Sequence, residues 1–319
     1  MAAEQYSRPR AAGHQPTVSI IGAGRLGTAL ALALSKRGYT IKALATRRPA
    51  PRARRAAGLM RLPRPLSVAQ LELLPPSDIL FVTTPDDEIE ATAAQLAALV
   101  PAARRRWRVA LHASGALCSK ALQPLRDRGL AVGSLHPLVS ISDPVAGARD
   151  LLGAHYCIEG DARAQRAARA IVRRLEGHAF SISARDKPLY HAAAVVACGH
   201  TVALIDLALE MLQRCGLSEL RARRALIPLV RSTLDNLSAQ PPARALTGPF
   251  ARADVATIRK HIEALRAFPT CDAKTIYILL GRRALQVAQQ NNIDAQALRE
   301  VARVLKNSSQ SQRQISRET

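Results

Sequence analysis

The sequence predicts an α/β sheet domain followed by an all-helical domain, and three observations carry that expectation. Short apolar, β-branched runs alternate with helical stretches up to about residue 185. A glycine-rich turn, "GAGRLG" at 22–27, joins the first strand pattern to the first helix pattern. Beyond about residue 186 strand patterns stop, and Ala- and Leu-rich helical periodicity runs to about residue 305. A chain of 319 residues with 48% hydrophobic content is too long for one ordinary core and apolar enough for two.

Taken in order, "TVSIIGAG" is a buried strand by its apolar run, and "RLGTALALALSKRGY" a helix ending near Gly38. "TIKALATRR" is the second strand. The proline- and arginine-rich "RRPAPRARRAAGLMRLPRPLS" is an exposed connection with one helical turn. "DILFVTTP" follows as a strand, "DDEIEATAAQLAALV" as a helix with an acidic first turn, and "RVALHASG" as a further strand. Strand and helix patterns continue through "LAVGSLHP", "HYCIEG", "ARAQRAARAIVRRLEG" and "HAFSIS", the alternation of a mostly parallel sheet covered by helices. The boundaries are a disordered tail over 1–15, a sheet domain over 16–185, a helical domain over 186–305 and a polar, disordered tail over 306–319.

Composition narrows the function classes. A formal charge of +22 suggests phosphate polymers. However, the arginines are scattered along helical stretches such as "RAQRAARAIVRRL" and "ELRARRAL", and aromatics, at 3%, are too few for base stacking, so no nucleic-acid partner is expected. No run of about 18 uncharged apolar residues and no secretory leader is evident, which predicts a cytoplasmic protein without a membrane partner. The five cysteines, Cys118, Cys157, Cys198, Cys215 and Cys271, show no paired metal or redox spacing, and read as reduced, mostly buried thiols with no metal site.

The glycines at 22, 24 and 27 sit between strand and helix, where the first permits a tight turn, the second lets backbone approach a pyrophosphate, and the third lets helix pack on sheet. The N-terminus of the helix then faces the phosphates. Gly22, Ala23, Gly24, Arg25, Leu26 and Gly27 are therefore candidate dinucleotide ligands. At the end of the second strand Thr46, Arg47 and Arg48 offer donors suited to a 2′-phosphate, so NADP(H) is favoured over NAD. Thr83, Thr84 and Pro85 lie at the carboxyl end of the next strand, where a nicotinamide ribose would rest. His112, Ser114 and His136 fall on the same edge of later strands and are catalytic candidates, though a lone histidine is more often structural.

Together, "IIGAGRLG", "DILFVTTPDDEI", "LHASGAL", "SLHPLVSI", "KPLYHAAAVVACGHTVAL" and "ALTGPFARADVATIRKHIEAL" resemble the Rossmann-like proteins whose C-terminal part is domain of unknown function 2520, relatives of pyrroline-5-carboxylate reductases and β-hydroxyacid dehydrogenases. The resemblance spans about residues 17–300. It implies a Rossmann NAD(P) domain, an all-α C-terminal domain of the 6-phosphogluconate dehydrogenase C-terminal-like kind that builds a homodimer, and a cleft between them. The chain departs from the family pattern at Cys198-Gly199-His200, where a Ser-Asn pair is usual, and at Ala253, where glycine is common.

Lys187 and His191 are four residues apart at the start of the first long helix, so they share a face. The resemblance to β-hydroxyacid dehydrogenases makes Lys187 the leading proton donor. Asp254, after Arg252, lines the same cleft or forms a surface ion pair. In "HTVALIDLALEMLQRCG" the apolar Val202, Ile205, Leu209 and Leu212 fall on one stripe, a candidate dimer face. The expected function is an NADP-dependent oxidoreductase acting on a small carbonyl or imine, or on the matching alcohol or amine. The alternatives are a prephenate dehydrogenase-like oxidative decarboxylase, since "SLHPL" is similar to that family's His-Pro segment, and a non-catalytic NADP(H) sensor.

Overall fold

The computed structural model describes residues 15–47, 51–62, 65–99, 107–269, 272–291 and 293–318. Its strands are β1 (Thr17–Ile21), β2 (Thr40–Thr46), β3 (Leu66–Ser67), β4 (Ile79–Val82), β5 (Val109–His112), β6 (Ala131–Pro137), β7 (His155–Gly160) and β8 (His178–Ser181). They form one sheet in the order β3-β2-β1-β4-β5-β6-β7-β8. All neighbours run parallel except β6 and β7. The strands from β1 to β6 thus end at one edge, where open α/β sheets bind ligands.

Both faces of the sheet are buried because successive residues of a strand point to opposite sides. Ile20 and Phe81 enter a layer with α1 (Arg25–Lys36) and α6 (Ala162–Arg174), while Ile21, Leu80 and Val82 enter the other with α3 (Asp86–Ala98). The order β1-α1-β2 arises as the sequence predicts. Between β2 and β4 the chain differs from the expected loop. Residues Pro51–Leu59 form a nine-residue helix, α2, because the alanine-rich "RAAGL" can propagate what Pro51 starts, and β3 adds a short edge strand. Helix α4 (Gln123–Arg126) packs on β6 in the α3 layer, and α5 (Pro144–Asp150) packs on α1 in the other.

After β8 only helices follow: α7 (Lys187–Ala197), α8 (Gly199–Arg214), α9 (Glu219–Ala239), α10 (Pro242–Ala245), α11 (Gly248–Ala251), α12 (Val255–Arg266), α13 (Ala273–Ala288) and α14 (Ala295–Glu318). The chain divides into two compact units between Thr201 and Val202, inside α8. The physical reason is that α7 is anchored to the strands through Lys187, as described below.

In the second unit Ile258, Ile262, Ile278, Leu285, Val301 and Leu305, from α12, α13 and α14, make the core. Asp254 caps α12, accepting from the Thr257 amide at 3.0 Å and from the Thr257 hydroxyl at 2.7 Å, and these bonds hold its carboxyl below the usual range. Helix α14 continues to Glu318, where the polar composition predicted disorder from 306. The expected N-terminal tail, 1–15, lies outside the described residues up to residue 14.

Helices α8 and α9 bury one side chain, Ala222. The predicted stripe Val202, Ile205, Leu209 and Leu212 is half-buried or exposed, while Leu204, Leu207, Ala208 and Met211 border a cavity of about 290 Å³ with Phe250 and Tyr277. The helical run Ala184–Arg214 is long and apolar enough, by length and composition, to cross a membrane. Residues 188–205, between Lys187 and Asp206, are 18 in a row without Asp, Glu, Lys or Arg, against the expectation that no such run exists, and only Pro188, Tyr190, His191, His200 and Thr201 temper its apolar character. Of the cysteines, Cys157 is buried and Cys118 partly so, but Cys198 and Cys215 are exposed, against the expectation of mostly buried thiols. All four are free, and Cys271 lies outside the described residues.

Candidate active site

At the end of β1 the backbone takes φ = 110° at Gly22, a conformation that only glycine adopts without strain. A Cβ there would meet the Thr83 carbonyl carbon at 2.5 Å, so the turn also lies flat against the end of β4. Gly27 faces the Gly22 carbonyl and the Thr83 hydroxyl with no room for a side chain. Thr83 clamps this packing by donating its hydroxyl to the Gly22 carbonyl at 2.7 Å. Its proton is thereby committed, so toward a nicotinamide ribose the hydroxyl oxygen has only its acceptor capacity to offer.

The rest of the turn is open. Nothing lies within 4 Å of a Cβ on Gly24, which precedes α1 and caps it with no side chain. The first turn of α1 has no acidic residue, so its free N–H groups and the positive end of the helix dipole meet open space beyond Gly24. Ala23, Arg25 and Leu26 flank that opening, with Arg25 exposed. Thr84, next to the clamp, has a buried hydroxyl without a hydrogen-bond partner among the described residues. An uncapped helix start, a glycine with free space and an orphaned hydroxyl together fit a dinucleotide. Pro85 opens α3, whose first turn carries Asp86, Asp87 and Glu88. Thr46 ends β2, and the exposed Arg47 forms an ion pair with Glu88. Arg48 lies outside the described residues.

The histidine candidates separate by register. His112, the last residue of β5, pairs with Ser134 in β6, whereas His136 lies beyond that level and pairs with Cys157 of β7. His112 is fully buried and both ring nitrogens are bonded: Nδ1 accepts from the Ser114 amide at 3.2 Å, and Nε2 lies 3.1 Å from the Cys118 carbonyl. Burial, with the Lys187 charge nearby, holds it neutral, at about 3. Ser114 is saturated too, its hydroxyl donating to Asp86 at 2.7 Å and accepting from the amides of Ala116 and Leu117. Neither has a free atom for a substrate. These two candidates are therefore structural, knitting the β5 turn together.

Lys187 is also fully buried. Its Nζ donates to Ser134 Oγ at 2.7 Å and to the Ser114 carbonyl at 3.1 Å, and burial holds the ammonium below its ordinary range. Two of its three N–H donors thereby pin the start of α7 to the turn after β5 and to β6. A lysine in the first turn of a helix opposes the dipole, and the compensation lies in these two bonds.

Pinning α7 brings His191 beside His136, with ring centroids 5.8 Å apart. Both border a cavity of about 500 Å³ whose remaining walls include Leu138, Val139, Ala194, Val195 and Cys198. His136 is held neutral, its titration lowered to about 4, by burial first and then by the Lys187 and His191 charges. Two residues not anticipated as functional complete the arrangement. A Cβ on Gly115 would meet His191 Cδ2 at 2.5 Å and His136 Nε2 at 2.8 Å, so only glycine lets the two rings approach. The Tyr190 hydroxyl lies 2.7 Å from His136 Nδ1. Helix spacing could have flagged Tyr190, since it is three residues after Lys187 and shares its face. The departure at Cys198-Gly199-His200 puts Cys198 and Gly199 on the cavity wall. Among the described residues no group of three or more His, Cys, Asp or Glu is placed to hold a metal ion.

Residues 7–137 match the family model of the Rossmann-like domain, and residues 154–284 match that of domain of unknown function 2520. None of the curated proteins matches the chain by sequence. Among solved structures, a Thermotoga maritima protein is similar at 23% identity, covering 86% of this chain and 98% of its own, with a TM-score of 0.65. A Bacteroides fragilis protein named as an NADP oxidoreductase is similar at 23% identity, with 85% and 98% covered and a TM-score of 0.68. The pyrroline-5-carboxylate reductase of Streptococcus pyogenes is similar at 18%, with 84% and 98% covered and a TM-score of 0.56. At these identities the likeness is one of fold.

Proposed function

We propose, for a chain that joins a Rossmann-like domain to a domain of unknown function 2520, that it is an NADP(H)-dependent oxidoreductase acting on a small carbonyl or imine, or on the matching alcohol or amine. The observation that carries the reading is the open, uncapped start of α1 at Gly24 beside the orphaned Thr84 hydroxyl, on the same sheet edge as the histidine-lined cavity. The names of the similar Bacteroides fragilis and Streptococcus pyogenes proteins support the same class.

Gly24, Arg25, Leu26 and Gly27 would hold the pyrophosphate with backbone amides, those of Gly22 and Ala23 being donated already to the Ala45 carbonyl at 2.8 and 3.1 Å, while Thr84 and Pro85 would border the nicotinamide side and Thr46, Arg47 and Arg48 the 2′-phosphate. When bound, the dinucleotide supplies the hydride chemistry. The chain's own residues do the rest: His136 and His191 meet the reacting oxygen or nitrogen and move a proton at a ring nitrogen, and the apolar wall excludes water. Lys187 acts through Ser134 and the helix it anchors, as a positioning residue.

The test is NADPH consumption with a panel of carbonyls and imines, alongside NADPH binding by fluorescence. Tight binding with unchanged absorbance across the panel would sink the enzyme and leave a cofactor sensor. The barely buried helices α8 and α9 further support a homodimer through the helical region, in the cytoplasm, with neither membrane nor nucleic acid as partner. A monomer mass at every concentration in light scattering would end that part of the reading.

A further inference from the structure

Tyr190 stands at the junction of three elements. Cys157 and His136 are directly opposed in the antiparallel pair β6–β7, so their side chains share one face of the sheet. Helix α7 lays Tyr190 over that face, its ring edge-on to His136 at 5.5 Å and to Phe180 at 6.0 Å. The Tyr190 hydroxyl then reaches both neighbours: it is 2.7 Å from His136 Nδ1 and hydrogen-bonded to the Cys157 thiol, whose sulfur also meets the backbone at Ile182. His136 Nε2 has no protein partner among the described residues, and it lies against Gly115, where no side chain covers it.

We infer that Tyr190 is a positioning residue that fixes His136 as its Nε2–H tautomer, so that the cavity presents a hydrogen-bond donor and selects ligands that offer an acceptor there, such as a carbonyl oxygen or an imine nitrogen. The direction follows from where protons can go. Across the 2.7 Å contact the phenol is the stronger acid and the imidazole nitrogen the stronger base, so the hydroxyl donates to Nδ1, and burial, which raises the Cys157 thiol, leaves that thiol protonated beside the Tyr190 oxygen. An imidazole that accepts at Nδ1 carries its own proton at Nε2. Burial keeps Tyr190 itself protonated and His136 neutral at ordinary pH. His112 is the contrast: a neutral imidazole of the same tautomer whose Nε2–H is spent on the Cys118 carbonyl. The selection of acceptor ligands rests on the oxidoreductase reading above; the tautomer does not.

Two-bond proton–nitrogen spectra of ¹⁵N-labelled protein, without cofactor or substrate, read the tautomer directly. His136 is assigned by the signal lost in His136→Gln. Wild-type His136 is expected as Nε2–H, and Tyr190→Phe, which keeps the ring, should shift the ratio toward Nδ1–H by about tenfold, the effect of one hydrogen bond. The unchanged Nε2–H pattern of buried His112 reports that the fold is intact. Should Tyr190→Phe lose that pattern, Cys157→Ala replaces it, with a smaller shift in the same direction expected. An Nδ1–H ring in the wild type, or an unmoved ratio in the variant that folds, overturns the proposal. Absent turnover with the expected tautomer would instead count against the oxidoreductase alone, and the wrong tautomer with intact NADPH binding against Tyr190 alone.

Discussion

The glycine turn after β1 and the histidine-bearing ends of β5 and β6 lie on one sheet edge and are built from opposite materials. The turn is made of backbone: φ at Gly22, packing at Gly27, free amides at α1. The histidine end is made of side chains, and each group's role depends on which neighbour reaches it first. The Ser114 hydroxyl is consumed in holding the structure and Lys187 spends two of its three donors there, whereas His136 has no protein partner at Nε2 among the described residues. A backbone site tolerates little substitution but demands no particular protonation. A side-chain site demands that every proton be in the right place.

The comparison is broken most severely at the turn. Gly22→Ala should cost about 2–5 kcal/mol, adding about 1–2 for left-handed strain to about 1–3 for overpacking against Thr83. Chemical denaturation checks the loss, and NADPH binding should fail with it. A stable variant that binds NADPH normally would mean the turn is not what the fold requires.

At the histidine end the corresponding lever is pH. His112 titrates at about 3 when folded against 6.5 for the free side chain, so below pH 6.5 the unfolded chain binds the extra proton. The stability it contributes is complete above pH 6.5 and is lost as pH falls toward 3. Between pH 6.5 and 5, above the carboxylate range, this amounts to about 1.4 kcal/mol per pH unit, or about 2 kcal/mol in all. His136, with its lowered value, adds in the same direction. In His112→Gln the slope of stability against pH should flatten, whatever the variant's absolute stability. An identical slope would show that His112 takes up its proton as readily in the native protein as in the unfolded chain.

The two regions also differ in how far they could be read from sequence. Gly22, Gly24 and Gly27 announce themselves because a backbone requirement is local: the spacing, the preceding strand and the following helix are all in one stretch. His112 and His136 look equivalent in sequence, each near the end of a strand. Only the pairing of His112 with Ser134 reveals that His136 projects past it. Lys187 looked like a solvated or catalytic helix start, and its burial depends on α7 docking over two strands distant in sequence. Gly115 is hidden for the same reason, since the rings it admits come from elsewhere in the chain, whereas helix spacing puts Tyr190 on the Lys187 face and hides only its partner His136. The helical half was legible in class but not in detail: the stripe facing Phe250 and Tyr277 is Leu204, Leu207, Ala208 and Met211, because nothing in one helix's periodicity says which neighbour it will meet.

A smaller effect sharpens the backbone side. The cofactor preference proposed for the end of β2 rests on side chains, and Arg47 is exposed and shared with Glu88. Arg47→Ala should weaken NADPH relative to NADH by about 1.5 kcal/mol, roughly tenfold, the lower end for a bond to a charged group in an exposed setting. Titration of both cofactors against both proteins measures it. Equal weakening of the two would place Arg47 away from the 2′-phosphate.

The smallest effect asks whether a backbone-built turn always needs glycine. Ala253, between α11 and α12, has φ = 50°, in the same left-handed half of conformational space as Gly22, yet it carries a side chain where the resembled family commonly has glycine. The difference lies in what surrounds the Cβ. At Gly22 it would strike the end of β4, whereas at Ala253 the methyl is buried in the core of α12, α13 and α14. Ala253→Gly relieves about 1–2 kcal/mol of left-handed strain. It gives up about 0.8 kcal/mol of methyl burial and about 0.4–1 kcal/mol through the freer unfolded chain. These nearly cancel, so the melting midpoint should move by no more than about 1 kcal/mol equivalent in either direction. A loss of several kcal/mol would mean that the methyl group organises the second core, and that side chains govern turns in the helical unit as they govern the histidine end of the sheet.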